Sequence, residues 1–210
     1  MSLAFDIETL GLLPRSSDNE ELPEITCVCL YSSEGGGRAF RLWGVSPDER
    51  NEAVATIVGL MDRARWLIGY NALRFDLEFM RRAWNLDDER MLCWVLKCID
   101  PLVYAQRVVG QSCKLQHMLD LNGLGAKTAS GGDAIRMARD GEWAPLLEYC
   151  LADARLVYEL VMDREWTRLT ACVEGQLRPP GPPRFRLVPA PETRSVFFGT
   201  AAAVLTLAPY

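Results

Sequence analysis

Three strand-like runs crowd the first 44 residues, and this restricts the fold more than any other feature of the chain. "LAFDI" (Leu3–Ile7) is a short apolar run of the kind that forms a buried strand. "EITCVCLYS" (Glu24–Ser32) alternates like a second strand. "GGG" (Gly35–Gly37) then turns the chain into a third, "RAFRLWG" (Arg38–Gly44). A polar, Pro-containing loop through Pro23 separates the first two. Strands joined by such short links predict an antiparallel meander.

The texture then changes to helices. Ser46, Pro47 and Glu49 supply an N-cap, a proline at the first helical position and a capping-box partner, so a helix is expected to about Arg65. "WLIGY" reads as a short buried strand, and "DLEFMRRAW" as a helix with Leu77, Met80 and Ala83 or Trp84 inward. "MLCWVLKCIDPLVYAQRVV" is read as a strand ending near Ile99 and a helix from Pro101. "KLQHMLDLNGLG" is a helix closed by Gly123, and "ASGGDAIRMARDGEW" a loop and a short helix. A long helix follows, with Leu146, Cys150, Ala154, Val157 and Val161 as its apolar stripe. The alternation predicts an α/β domain with a mixed five-stranded sheet, its first three strands antiparallel, flanked by helices. The domain is expected over 1–170, with a Pro-rich and then apolar tail over 171–210.

Composition narrows the chemistry. Hydrophobic residues make up 49% and charged ones 24%, the profile of a globular domain with a sizeable core. No apolar run approaches the length of a membrane span. The chain enters "SLAFDIETL" without a basic segment and apolar stretch, so an intracellular, cytoplasmic protein is expected. The seven cysteines are scattered and read as reduced thiols rather than a zinc site. A net charge of −5 excludes a broad basic surface for nucleic acid. Any such role must be local to a site.

The chain places acidic residues where they are expensive. Asp6 interrupts the first apolar run, and Glu8 follows on the same strand face. Two carboxylates so placed repel unless a cation sits between them. Asp-x-Glu occurs six times, but only this one lies in a core strand. "GYNALRFD" ends a strand, turns at Asn71 and starts a helix at Asp76. Alone, Asp76 reads as an ordinary first-turn acid. Tyr149 and Asp153, four residues apart, lie one above the other on the long helix.

"FDIET", "YNALRFD" and "YCLADARLVYEL", in that order, resemble the three motifs of the DEDD superfamily of 3′–5′ exonucleases, which has a ribonuclease-H-like fold. The likeness spans roughly residues 3 to 165 and is closest in kind to the proofreading domains of family B DNA polymerases and their stand-alone relatives. A tyrosine four residues before the last Asp, with Glu148 where another branch has His, resembles the tyrosine branch. The resemblance implies two divalent ions, Mg²⁺ or Mn²⁺, held by Asp6, Glu8, Asp76 and Asp153, with Tyr149 orienting the attacking water. It also implies nucleic-acid contacts from Leu10, Asn71 and Phe75. Arg74 and "GLGAKTASGGD" are expected to meet phosphates through a cation and backbone N–H groups. The implied activity is a 3′–5′ exonuclease on single-stranded ends, DNA ahead of RNA, alone or serving a polymerase or helicase in proofreading or repair. A catalytically silent binding module and a structure-specific endonuclease on the same fold are the alternatives.

Overall fold

The computed structural model describes residues 1–12, 21–109 and 112–162. The tail expected over 171–210 lies outside the described residues, as does most of the loop before Pro23. The first strand, β1 (Ser2–Thr9), pairs antiparallel with β2 (Ile25–Ser32), which pairs antiparallel with β3 (Gly36–Arg41). β4 (Trp66–Ile68) and β5 (Cys98–Ile99) extend the sheet in parallel on the other side of β1. The order is β3-β2-β1-β4-β5, so the mixed five-stranded sheet is present with its antiparallel meander, and β1 is central. The third strand stops before Leu42: the N–H groups of Leu42 and Trp43 both go to the Thr26 carbonyl, and Gly44 turns with φ +66°.

Alternation along β1 divides the core. Leu3, Phe5 and Ile7 face helices α1 (Pro47–Arg63), α2 (Asp76–Trp84) and α3 (Asp88–Leu96). Ala4 faces the other layer, made of α4 (Pro101–Val109), α5 (Leu115–Leu121), α6 (Gly131–Asp140) and α7 (Trp143–Met162). By the same alternation Asp6 and Glu8 point toward the α7 layer.

Local signals explain most boundaries. Ser46 caps α1, with the reciprocal Glu49 contact in place. Lys97 closes the other end of α1 by donating to the carbonyls of Met61, Asp62 and Ala64 at 2.8, 2.9 and 3.0 Å. A second capping box, Ser130 with Asp133, starts α6, and Gly141 ends it with φ +74°. All five stripe residues of α7 are buried, and Tyr149 and Asp153 are buried with them. Helix α2 buries Leu77 and Met80 as expected, but Phe79 is fully buried while Ala83 and Trp84 are only partly so.

One expectation is corrected. The apolar run from Met91 is not a long strand: α3 covers it as far as Leu96, and the strand is confined to Cys98–Ile99. The Asp87 side chain caps α3 by accepting the Arg90 N–H. Met91 and Trp94, three apart, form its buried face, and Trp94 Nε1 donates to Asp62 at 2.7 Å. Apolar composition hid a helical period in a short segment. Among the described residues no helix is long and apolar enough to cross a membrane.

The turn between β4 and α2 is built tightly. A Cβ on Gly69 would come within 2.6 Å of Ala72 Cβ and 3.3 Å of the Phe5 ring, so only glycine lets β4 end there. Asn71 takes φ +63°. Asp100, after β5, is 4% exposed and accepts four backbone N–H groups, from Asn71, Leu73, Leu102 and Val103. One carboxylate therefore joins the β4–α2 turn to the first turn of α4. Asp100→Ala leaves those donors without their acceptor and is expected to cost about 2–4 kcal/mol in urea unfolding. A change within about 0.5 kcal/mol, the range of an ordinary surface substitution, would discard this role for Asp100.

Candidate active site

The site is assembled where α7 crosses β1 and β2. Asp6 pairs with Cys29 and Glu8 with Cys27 across the ladder. The three small thiols Cys27, Cys29 and Cys150 fill the space between sheet and helix. Small side chains there let the helix approach closely: the Cys150 thiol donates to the Asp6 carbonyl at 3.4 Å, and the Cys29 thiol to the Leu147 carbonyl at 3.6 Å. This docking sets Asp153 beside Asp6 and Glu8. Ligand oxygens of Asp6, Glu8 and Asp153 all lie within 4.8 Å of one another.

Asp76 approaches from the opposite side of β1. β4 ends at Ile68, level with Ala4, so the β1 edge beyond that register has no β4 partner. Asp76 Oδ1 accepts the N–H of Ile7 there at 3.2 Å. The Asp76 carboxylate is buried at this edge and is not one of the three clustered groups.

Crowding and burial oppose ionisation. The Asp6 carboxyl is pushed well above the usual range by burial and then by Glu8, Asp76 and Asp153. Glu8 is raised by burial and by neighbouring negative groups. Burial pushes Asp76 up to about 7. Burial also raises Asp153, against the pull of the Lys127 ammonium and the Tyr149 hydroxyl. Tyr149 is pushed upward by burial and by Asp153, Glu8 and Asp6, so its phenol stays protonated at neutral pH and acts as a donor.

Lys127 is what the sequence did not single out. Its ammonium lies 2.6 Å from Asp153 Oδ2 and 5.2 Å from the centre of the Tyr149 ring. A lysine in a glycine-rich polar loop ordinarily reads as solvent-exposed, and only its contact with Asp153 in the folded chain shows otherwise. In the same segment Ser130 and Asp133 are spent on capping α6.

The remaining expected residues lie at the end of β1 and in the β4–α2 turn. Leu10 follows β1 and packs, partly exposed, against the α6–α7 cluster. Asn71 forms the tight turn, and its carbonyl accepts the N–H groups of Arg74 and Phe75. Arg74 is exposed. Phe75 packs on the α1–α3 side, 5.2 Å from the Phe79 ring.

The donor set fits a divalent ion. It is all oxygen, as hard cations prefer. Among the described residues Asp6 Oδ2 and Asp153 Oδ1 are buried without a hydrogen-bond partner, a costly state that a cation would relieve.

A family model described as the RNase H superfamily matches residues 3–162. No curated protein sequence matches the chain. Among solved structures, the family B DNA polymerase of the archaeon Pyrobaculum calidifontis is similar with a TM-score of 0.58 at 16% identity, over 98% of this chain and 29% of the polymerase. Exonuclease I of E. coli in complex with a dA16 oligonucleotide is similar with a TM-score of 0.44 at 19% identity, over 70% of this chain and 42% of that one. A 3′-exonuclease that recognises the histone mRNA stem-loop gives 0.37 at 14%, over 67% of this chain and 64% of that one. The chain thus spans less than a third of the polymerase.

The raised carboxyls predict an inverted pH dependence for the metal-free protein. Asp76 binds its proton more tightly folded than unfolded. Its contribution to stability is therefore present below about pH 4 and is lost as the pH rises through about 7. Thermal melts in EDTA at pH 5 and pH 8 measure this. The drop between them is expected to be smaller in Asp76→Asn than in the parent protein. An equal drop would remove Asp76 as its source.

Proposed function

The chain belongs to the RNase H superfamily, and from that premise we propose that it is a divalent-metal-dependent 3′–5′ exonuclease of the tyrosine-type DEDD branch. The observation that carries the reading is the convergence of Asp6, Glu8 and Asp153 within 4.8 Å, with unpartnered buried oxygens and a protonated Tyr149 alongside. The substrate is the 3′ end of a single strand. DNA is preferred to RNA on the likeness of "FDIET" and "YNALRFD" to the proofreading domains of family B polymerases.

Asp6, Glu8 and Asp153 would hold Mg²⁺ or Mn²⁺, with Asp76 serving a second ion. Divalent ions there supply an acidified water and charge stabilisation for the leaving oxygen. The water oxygen forms the new bond to phosphorus, the bond to the 3′-oxygen of the preceding nucleotide breaks, and that oxygen takes a proton as a mononucleotide leaves. Tyr149 holds the water in line by its hydroxyl. It is no base, because its surroundings favour the protonated phenol. Leu10 wedges against the terminal base, while Asn71, Arg74 and Phe75 position the strand from the β4–α2 turn.

One observation favours a silent binding module: an ammonium, Lys127, already contacts Asp153. A module of that kind needs a basic track instead of a metal site. Arg81, Arg82, Arg136 and Arg139 would contribute to one, but two of the four are engaged, Arg81 with Glu78 and Arg136 with Asp140 and Glu142. A chain with a net charge of −5 is better suited to gripping a few terminal nucleotides.

Release of mononucleotides from a 3′-labelled single strand, with and without Mg²⁺, tests the proposal. Asp6→Asn keeps the side-chain volume and removes a ligand, and is expected to cut the rate at least about a thousandfold. Tyr149→Phe deletes one hydrogen bond to water and is expected to cost about ten- to a thousandfold. Near-normal cleavage by Asp6→Asn would rule out the ligand assignment. A Tyr149→Phe protein as inactive as Asp6→Asn would mean that Tyr149 does more than position water.

A further inference from the structure

Lys127 stands in an unusual place for a lysine. Its side chain is 25% exposed and its partner Asp153 only 3%. The loop is pinned where it presents this side chain, because the Lys127 N–H donates to Gln116 Oε1 of α5 at 2.7 Å. Burial works against the ammonium, but Asp153, Asp6 and Glu8 together outweigh it. Among the described residues no other Lys or Arg makes an ion pair with the three clustered carboxylates.

One positive charge cannot satisfy three carboxylates. Asp153 is engaged through Oδ2, while its Oδ1 and Asp6 Oδ2 have no partner among the described residues. A cation of higher charge would satisfy more of them. It would also sit within a few ångström of the ammonium on the same carboxylate. A dication and an ammonium repel twice as strongly as two unit charges at that distance. The lysine stem is long and flexible and already reaches solvent, so the ammonium has somewhere to go.

We propose that Lys127 is a built-in counter-ion that holds the carboxylates together before metal binds and is displaced from Asp153 when a divalent ion enters. Metal affinity is then set by an exchange, and the folded site does not depend on metal to persist. This rests on reading Asp6, Glu8 and Asp153 as a metal site.

Calorimetric titration of the metal-stripped protein with Mg²⁺ tests it, using the parent chain, Lys127→Met and Asp6→Asn. Removal of a competing charge-assisted bond is expected to tighten Mg²⁺ binding about tenfold or more in Lys127→Met. The metal-free Lys127→Met protein should also melt below the parent, with the gap closing at saturating Mg²⁺. Equal or weaker binding by Lys127→Met overturns the exchange. The reading of the carboxylates as a metal site fails separately, and the exchange with it, if the parent chain shows no Mg²⁺ binding that Asp6→Asn weakens. A second readout does not need the Lys127 variant to fold. The chain has three lysines, Lys97, Lys114 and Lys127, so reductive ¹³C-methylation gives few signals to assign. On adding Mg²⁺ the Lys127 methyl resonance is expected to shift while those of Lys97 and Lys114 stay in place. A Lys127 resonance unmoved at saturating Mg²⁺ also overturns the exchange.

Discussion

Negative charge gathered at the end of one central strand is the constraint on which the site depends. Asp6 and Glu8 share a face of β1, and α7 adds Asp153 to them within 4.8 Å. Such groups repel, and burial raises the cost of each charge. The fold meets this cost in several places at once. Asp76 takes a strand N–H, Tyr149 stays protonated beside Asp153, and Lys127 brings an ammonium into contact. Each is an incomplete remedy, since two carboxylate oxygens lack partners among the described residues.

The scaffold around the cluster is closely packed. Cys27, Cys29 and Cys150 let the helix lie close on the sheet, with thiols bonded to carbonyls of β1 and α7. Asp100 fixes the turn that carries Asn71 and Arg74, and Gly69 permits it. These residues have no chemistry to perform. They determine the distance between the clustered groups, and in a catalytic site a misplacement of about 1 Å can cost about a hundredfold in rate.

Much of this was legible in the chain. The period-two runs marked the meander, the Ser46–Glu49 box marked α1, and the apolar stripe from Leu146 to Val161 marked α7. Asp6 was conspicuous because it interrupts an apolar strand. The segment from Met91 misled because a short apolar run carries little periodicity, and only the Asp87 cap and the burial of Met91 and Trp94 make it helical. Phe79 was missed as a core residue of α2, since the inward face of a nine-residue helix is broad relative to its few turns.

By itself the sequence determined which residues carry charge and on which local face each lies, because alternation and helical period act over a few residues. It thereby paired Asp6 with Glu8, and Tyr149 with Asp153. Tertiary structure decided which of these faces meet. Asp6 and Cys150 touch across 144 positions, Ile7 and Asp76 across 69. No local preference encodes such contacts; they follow from packing α7 over β1 and β2 and from ending β4 at Ile68. Lys127 is the clearest case. Its sequence surroundings are those of a solvated loop, and its place against Asp153 exists only because a charged cluster, assembled by distant segments, draws it in.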